Sequence, residues 1–192
     1  MITSSKVMAL DIEVPQALAD YVHHSRVALA VAAADEDNHL LLVNDAFCTL
    51  TGYDPADVLG RNCRMLQRDA PNVEPRERLR EFLARPRQPN VRTPIVNFRK
   101  DGRPFVNLLY MSRLGALNGT TRFIFASQFD VSRSQPEMLA EYDSELKATL
   151  GRLVPIAQDA GIVVEGTLLT IANSAATVAQ AKLMLADLDS RG

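Results

Sequence analysis

The chain holds two thiols, Cys48 and Cys63. Two thiols make neither a disulfide framework nor a four-thiolate zinc site, so chemistry from either would be that of a nucleophile. Cys48 follows Phe47 on an expected helix and reads as a small core residue. Cys63 stands in the run Gly60-Arg61-Asn62-Cys63-Arg64-Met65-Leu66-Gln67. A thiol attacks well once its partner becomes electrophilic or basic. No His, Asp or Glu stands in a nucleophile-activating motif near Cys63, which argues against a thiol enzyme. The other residues able to do chemistry are neutral amides and arginines. Asn97 and Asn107 flank an expected hairpin turn and can face the same way, each amide both donating and accepting. Gln128 has the same double capacity and can exchange its roles by rotating. Arg64, Arg76 and Arg80 offer the forked donors that hold phosphates. Glycine-rich nucleotide loops of the Walker or Rossmann type are absent, and Gly60 stands alone.

The elements that must position these residues follow from pattern. Val14, Leu18, Tyr21 and Val22 recur at helical spacing around Pro15 and predict a short helix. Val27–Ala34 and His39–Val43 read as two strands joined by a turn at 35–38. Residues 44–71 hold no long period and carry Gly52, Pro55, Gly60 and Pro71, so several short helical turns are expected. Residues 75–84 form a stronger helix with Leu79, Phe82 and Leu83 on one side. Three strands then follow, at Val91–Arg99, Phe105–Leu114 and Thr120–Asp130, with Asp101-Gly102 and Asn118-Gly119 as turns. The order predicts an α+β fold: a five-stranded antiparallel sheet with short helices on one face.

The octapeptide at 60–67 closely resembles the signature of LOV (light-oxygen-voltage) photoreceptors, a subfamily of PAS domains. Asn44-Asp45-Ala46-Phe47, Thr51-Gly52-Tyr53, Asn97-Phe98-Arg99-Lys100-Asp101-Gly102, Phe105-Val106-Asn107-Leu108 and Gln128 extend the match over residues 26–131. The resemblance implies non-covalently bound FMN and a reversible blue-light bond from the Cys63 sulfur to flavin carbon C4a. It implies that Asn97 and Asn107 pair with the pyrimidine edge and that Gln128 reads protonation of N5. Arg64 and Arg80 match phosphate ligands, with Arg76 one turn away able to assist. Gln67 matches a ligand of the ribityl chain or phosphate. Asn62, Phe47 and Leu109 complete the flavin-lining set, with Leu109 packed on the ring. Met65 stands where the family usually has Phe; it keeps a thioether–aromatic contact available and loosens the cavity beside the cysteine.

The sequence has 192 residues, 47% hydrophobic and 23% charged, with a net charge of −2. That composition fits one domain plus an extension and gives no global basic footprint for nucleic acid. No signal peptide is legible, and the stretch 160–181 is too polar to span a membrane, so a soluble, cytoplasmic protein is expected. The expected organisation is an N-terminal helical cap at 1–25, a sensor domain at 26–131 and a helical extension at 132–192. In the extension, Ser134-x-x-Glu137 is a capping box, and Leu139, Tyr142, Leu146, Leu150, Leu153 and Ala157 step by three or four. Pro155 is expected to bend or end this helix, Gly161 to break the chain, and a second helix to run from about 167 to 188. With that second helix the extension is expected to form a C-terminal helical hairpin. That second helix is apolar over too much of its circumference to stand alone, which predicts a homodimer through the C-terminal helices. The extension has no His for phosphotransfer, no basic recognition helix and no catalytic motif. The reading is therefore a non-enzymatic blue-light photoreceptor acting on a further protein partner, without nucleic acid or membrane. A light-independent PAS module sensing a ligand or redox state is the alternative.

Overall fold

The computed structural model describes residues 12–132 and 136–164. Helix α1 (Gln16–His24) follows Pro15 and buries Leu18 and Val22. Strands β1 (Ala28–Ala33) and β2 (Leu40–Val43) form the first hairpin. The Gly- and Pro-punctuated stretch folds into α2 (Asp45–Thr51), α3 (Pro55–Val58) and a 3-10 helix over Cys63–Gln67. Helix α4 (Val73–Ala84) precedes β3 (Asn90–Phe98), β4 (Pro104–Ala116) and β5 (Thr121–Gln128). Gly102 and Gly119 adopt φ of 89° and 83° in the two turns, where a side chain would be strained. Helix α5 (Pro136–Asp159) and a short β6 (Ile162–Val164) complete the described chain.

The sheet is antiparallel in the order β2-β1-β5-β4-β3. It carries one strand more than expected: β6 pairs with Leu114–Ala116 of β4, beyond the end of β3. Three residues are too short for alternation to announce a strand.

The short helices lie on one face of the sheet, as expected, and α1 and α5 cover the other. The reason lies in the strand period of two, which sends alternate side chains to opposite faces. In β1, Leu29 and Val31 point to one face and Ala28, Ala30 and Ala32 to the other. The first face, with Phe123, Phe125, Val106 and Leu108, meets α1 and α5. Tyr142, Leu146, Leu150, Leu153 and Ala157 of α5 are buried there, so its apolar stripe is covered within the chain. Burying each large apolar side chain of this set contributes about 1.5–3 kcal/mol. The second face meets α2, α3, α4 and the 3-10 helix around Phe47, Val58, Leu66 and Phe82.

Helix α5 runs through Pro155 to Asp159, so of the two expected effects, a bend or an end, Pro155 does not end the helix. Pro155 lies on the exposed side, where water can take up the carbonyl that loses its partner. The helix stops before Gly161, whose φ is 69° and whose N–H bonds the Gln158 carbonyl at 2.9 Å. The capping box expected at Ser134 and the second tail helix lie outside the described residues. No helix among the described residues is long and apolar enough to cross a membrane.

Candidate functional site

The alanine face of the sheet leaves room that large side chains would fill. A cavity of about 430 Å³ opens there, between the sheet and the Cys63–α4 segment, in the range of small-molecule sites (about 300–1,000 Å³). Ala30, Ala32 and Ala126 form part of its wall, with Ile95, Leu109, Met111 and Ile124 as further apolar lining.

The 3-10 helix brings Cys63 to this cavity, and Asn62 fixes the start of that helix. Asn62 Oδ1 accepts the Arg64 N–H at 2.8 Å, and its Nδ2 donates to the Asp37 carbonyl in the β1–β2 turn. Burial pushes the Cys63 thiol up to about 12, so it stays a protonated thiol at neutral pH. Cys48 is raised too, by burial and then by Asp45 and Asp54, and it lies against the second core rather than along the cavity.

The strand register places the amides. Asn97 pairs with Phe105 and Asn107 with Ile95, which sets both asparagines on the cavity face. They are 4% and 2% exposed, and Asn107 Nδ2 donates to Asn97 Oδ1 at 2.9 Å. Asn107 Oδ1 in turn accepts the Phe129 N–H at 3.1 Å. Gln128 lines the same cavity at the end of β5. Its side chain is buried, and neither Oε1 nor Nε2 has a partner among the described residues. A buried amide left unpaired on both atoms is rare, and a ligand carrying both a donor and an acceptor resolves it.

The arginines gather at the rim. Arg64 lines the cavity but points largely to solvent, with 69% of its side chain exposed, and it pairs with Asp37. Arg80 lines it from α4 and forms no ion pair among the described residues, and Arg76 Nε donates to Gln67 Oε1 at 2.7 Å. Among the described residues no Asp or Glu lines the cavity. Helix α4 is held in place by Arg113 of β4, a 5% exposed guanidinium that donates to the Phe82 carbonyl at 2.5 Å and the Leu83 carbonyl at 3.3 Å. These carbonyls lie in the last turn of the helix, where the Phe82 carbonyl also accepts the Arg85 N–H at 3.3 Å.

Phe47 and Met65 stand apart from the rest of the expected set. Phe47 is wholly buried in the core behind α2, and Met65 packs partly buried against that core. Neither lines the cavity. Residues that sequence reasoning left out include Asn38, Arg68, the alanine wall and the apolar lining at Ile95, Met111 and Ile124. The Ala28-Leu29-Ala30-Val31-Ala32 alternation was the available signal for the wall. Nothing in the sequence announced Asn38 or Arg68.

Neutral amides, one thiol, apolar walls and a cationic rim fit a planar, largely uncharged ring bearing an anionic tail. A PAS domain family model matches residues 27–133. Blue-light-activated histidine kinase 1 of Erythrobacter litoralis is 31% identical over 138 residues, covering 69% of this chain and 38% of its own. This chain therefore spans well under half the length of the kinases it matches. The solved LOV domain of an Erythrobacter litoralis blue-light-activated histidine kinase is 34% identical, covers 57% of this chain and 97% of its own, and has a TM-score of 0.51. The Rhodobacter sphaeroides LOV protein, 24% identical with a TM-score of 0.66, shares the fold over 91% of both chains. The chain belongs to the PAS domain family and, within it, to the LOV domains. Membership in that group implies a flavin chromophore.

Proposed function

We propose that this protein is a blue-light photoreceptor that binds FMN and signals without enzymatic activity of its own. The observation that carries the reading is the convergence of Cys63, Asn97, Asn107 and Gln128 on one cavity whose rim is arginine-rich. Bound FMN would supply a blue-absorbing ring that, once excited, could take the Cys63 sulfur reversibly at C4a and its thiol proton at N5. The chain's own residues do the rest. Asn97 and Asn107, already tied to each other, present amide donors and acceptors to the pyrimidine edge. Gln128 would answer a change of N5 from acceptor to donor, because its amide can exchange roles by rotating. Leu109 packs on the ring, and Asn62 holds the Cys63 turn in register. Arg64, Arg80 and Gln67 hold the phosphate and ribityl end; Arg64 must share or leave Asp37 to do so.

The sensor is the unit at 26–131, with the cap at 1–25 and the extension at 132–192 as its outputs, in a cytoplasmic protein. The outer face of β5 supports this route. Ser127 Oγ lies 2.9 Å from the Tyr142 hydroxyl of α5, and Phe129 stacks on the Tyr142 ring at 4.0 Å. Both neighbours of Gln128 thus touch the same α5 side chain. The output is altered association: a homodimer through the C-terminal helices, recognised by a further protein.

An absorption spectrum before and after blue light tests the reading. A structured blue band that bleaches on illumination and recovers in the dark is expected. Protein that takes up no flavin, or flavin that never bleaches, overturns it. Light scattering on the full chain, dark and lit, tests the association; a monomer at high concentration in both conditions rejects the dimer.

A further inference from the structure

Arg68 directly follows the Cys63–Gln67 helix, with φ of 45° and ψ of −127°. That backbone conformation favours glycine, and a residue with a long side chain held there calls for a compensating contact. The contact is present. Arg68 Nη2 donates to the Arg99 carbonyl at 3.1 Å and lies 3.5 Å from the Lys100 carbonyl, both in the β3–β4 turn. The guanidinium also sits over the Phe98 ring, 5.4 Å from its centroid. At Gly102 a Cβ would come within 3.5 Å of Arg68 Nη1, so the fork lies against this turn. Arg68 is exposed and yet lines the cavity, which places it at the rim. It therefore spans from the end of the cysteine-bearing helix to the hairpin whose strands carry Asn97 and Asn107.

We propose that Arg68 is a strap across the cavity rim that sets how long the flavin is retained. This rests on the flavin reading above. Arg68 is a positioning residue: it acts by tying two walls of the cavity together, and its side chain outweighs a backbone cost that glycine would avoid. A purely structural role would make flavin retention follow stability, whereas a strap makes it follow the side chain.

Two variants of the full chain separate these. R68A and R68G remove the strap equally, but only R68G relieves the backbone. Both are expected to release FMN roughly tenfold faster than wild type, the factor that corresponds to one charge-assisted hydrogen bond. R68G is expected to melt several degrees above R68A, with FMN in excess. R68A and R68G matching each other in release while differing in melting is the supporting result. Release rates equal to wild type in both variants, or a release rate that rises and falls with melting temperature, overturns the strap. Wild-type protein that holds no FMN overturns the flavin reading instead, before the variants are compared.

Discussion

Replacing Gln128 with leucine should stabilise the protein without ligand and weaken its response to ligand. The two amide atoms of Gln128 are shut off from solvent and unpaired among the described residues. Each buried polar atom left without a partner costs about 1–3 kcal/mol. Taking the low end for both, Q128L relieves about 2 kcal/mol in a side chain of similar size. For a chain of this length, 1 kcal/mol moves Tm by about 2–4 °C, so flavin-free Q128L should melt about 4–8 °C above flavin-free wild type. With flavin bound, the wild-type amide gains partners and leucine does not. The flavin-dependent rise in Tm should therefore be smaller in Q128L. Calorimetry on protein stripped of flavin and then reconstituted reads both quantities. A stripped Q128L that melts below stripped wild type refutes the premise that the amide is unpaired. An equal flavin-dependent rise in the two proteins refutes the assignment of this amide to the ligand.

Three further outcomes are expected. C63A should keep flavin and lose the light-induced bleaching of its blue band, while C48A should keep the bleaching; difference spectra under blue light distinguish them. Burial raises Cys63 from 9.0 to about 12 and Tyr142 from 10.0 to about 12. Groups raised in the folded state contribute stability that is complete below their unfolded values and is lost as pH rises through the folded ones. Stability should then fall between about pH 9 and 12, and urea titrations of C63A and Y142F should each show a shallower fall there. R113M removes charged donors from the last turn of α4; at about 2 kcal/mol for the charge-assisted hydrogen bonds lost, Tm should drop by about 4–8 °C. Because α4 carries Arg76, Leu79, Arg80 and Leu83 to the cavity, FMN titration of R113M should show weaker binding.

The site was legible to the degree that each residue announced itself locally. Cys63, Asn97, Asn107 and Gln128 stand in short motifs with turn residues between them, and turns such as Asp101-Gly102 fix strand register by backbone geometry alone. Elements with strong periodicity, α4 and the α5 stripe, were equally legible. What escaped has physical causes. The β6 strand exists only because Gly161 turns three residues back onto the free end of β4. The passage of α5 through Pro155 depends on which side of the helix faces water, which no local pattern states. Phe47 stands in a motif beside flavin-lining positions, yet it follows Asn44, whose side chain bonds the Leu29 and Phe47 N–H groups and the Val22 and Val27 carbonyls. That hub draws α2 against β1 and turns Phe47 into the core. Tertiary ties of this kind decide direction, and they are written across distant residues.

The same alternation that makes the cavity also connects it to the outer helices. On β5, Gln128 serves the alanine face and Ser127 the opposite one, so a single peptide unit separates the ligand-facing amide from the α5 contact. Tyr142 closes that contact from the far side, bonded to Ser127 and stacked on Phe129. Asn107, an amide of the cavity, also accepts the Phe129 N–H. In the proposed reading, these contacts carry a shift of either amide to Tyr142. From α5 the path continues to α1, where the Tyr21 hydroxyl donates to the Thr149 carbonyl at 2.6 Å. A change of a few kcal/mol in how Tyr142 is held is enough to shift a two-state packing of α5 decisively. In the proposed photoreceptor α5 is reached without a lever arm, because the strand that carries Gln128 is also a strand on which α5 rests.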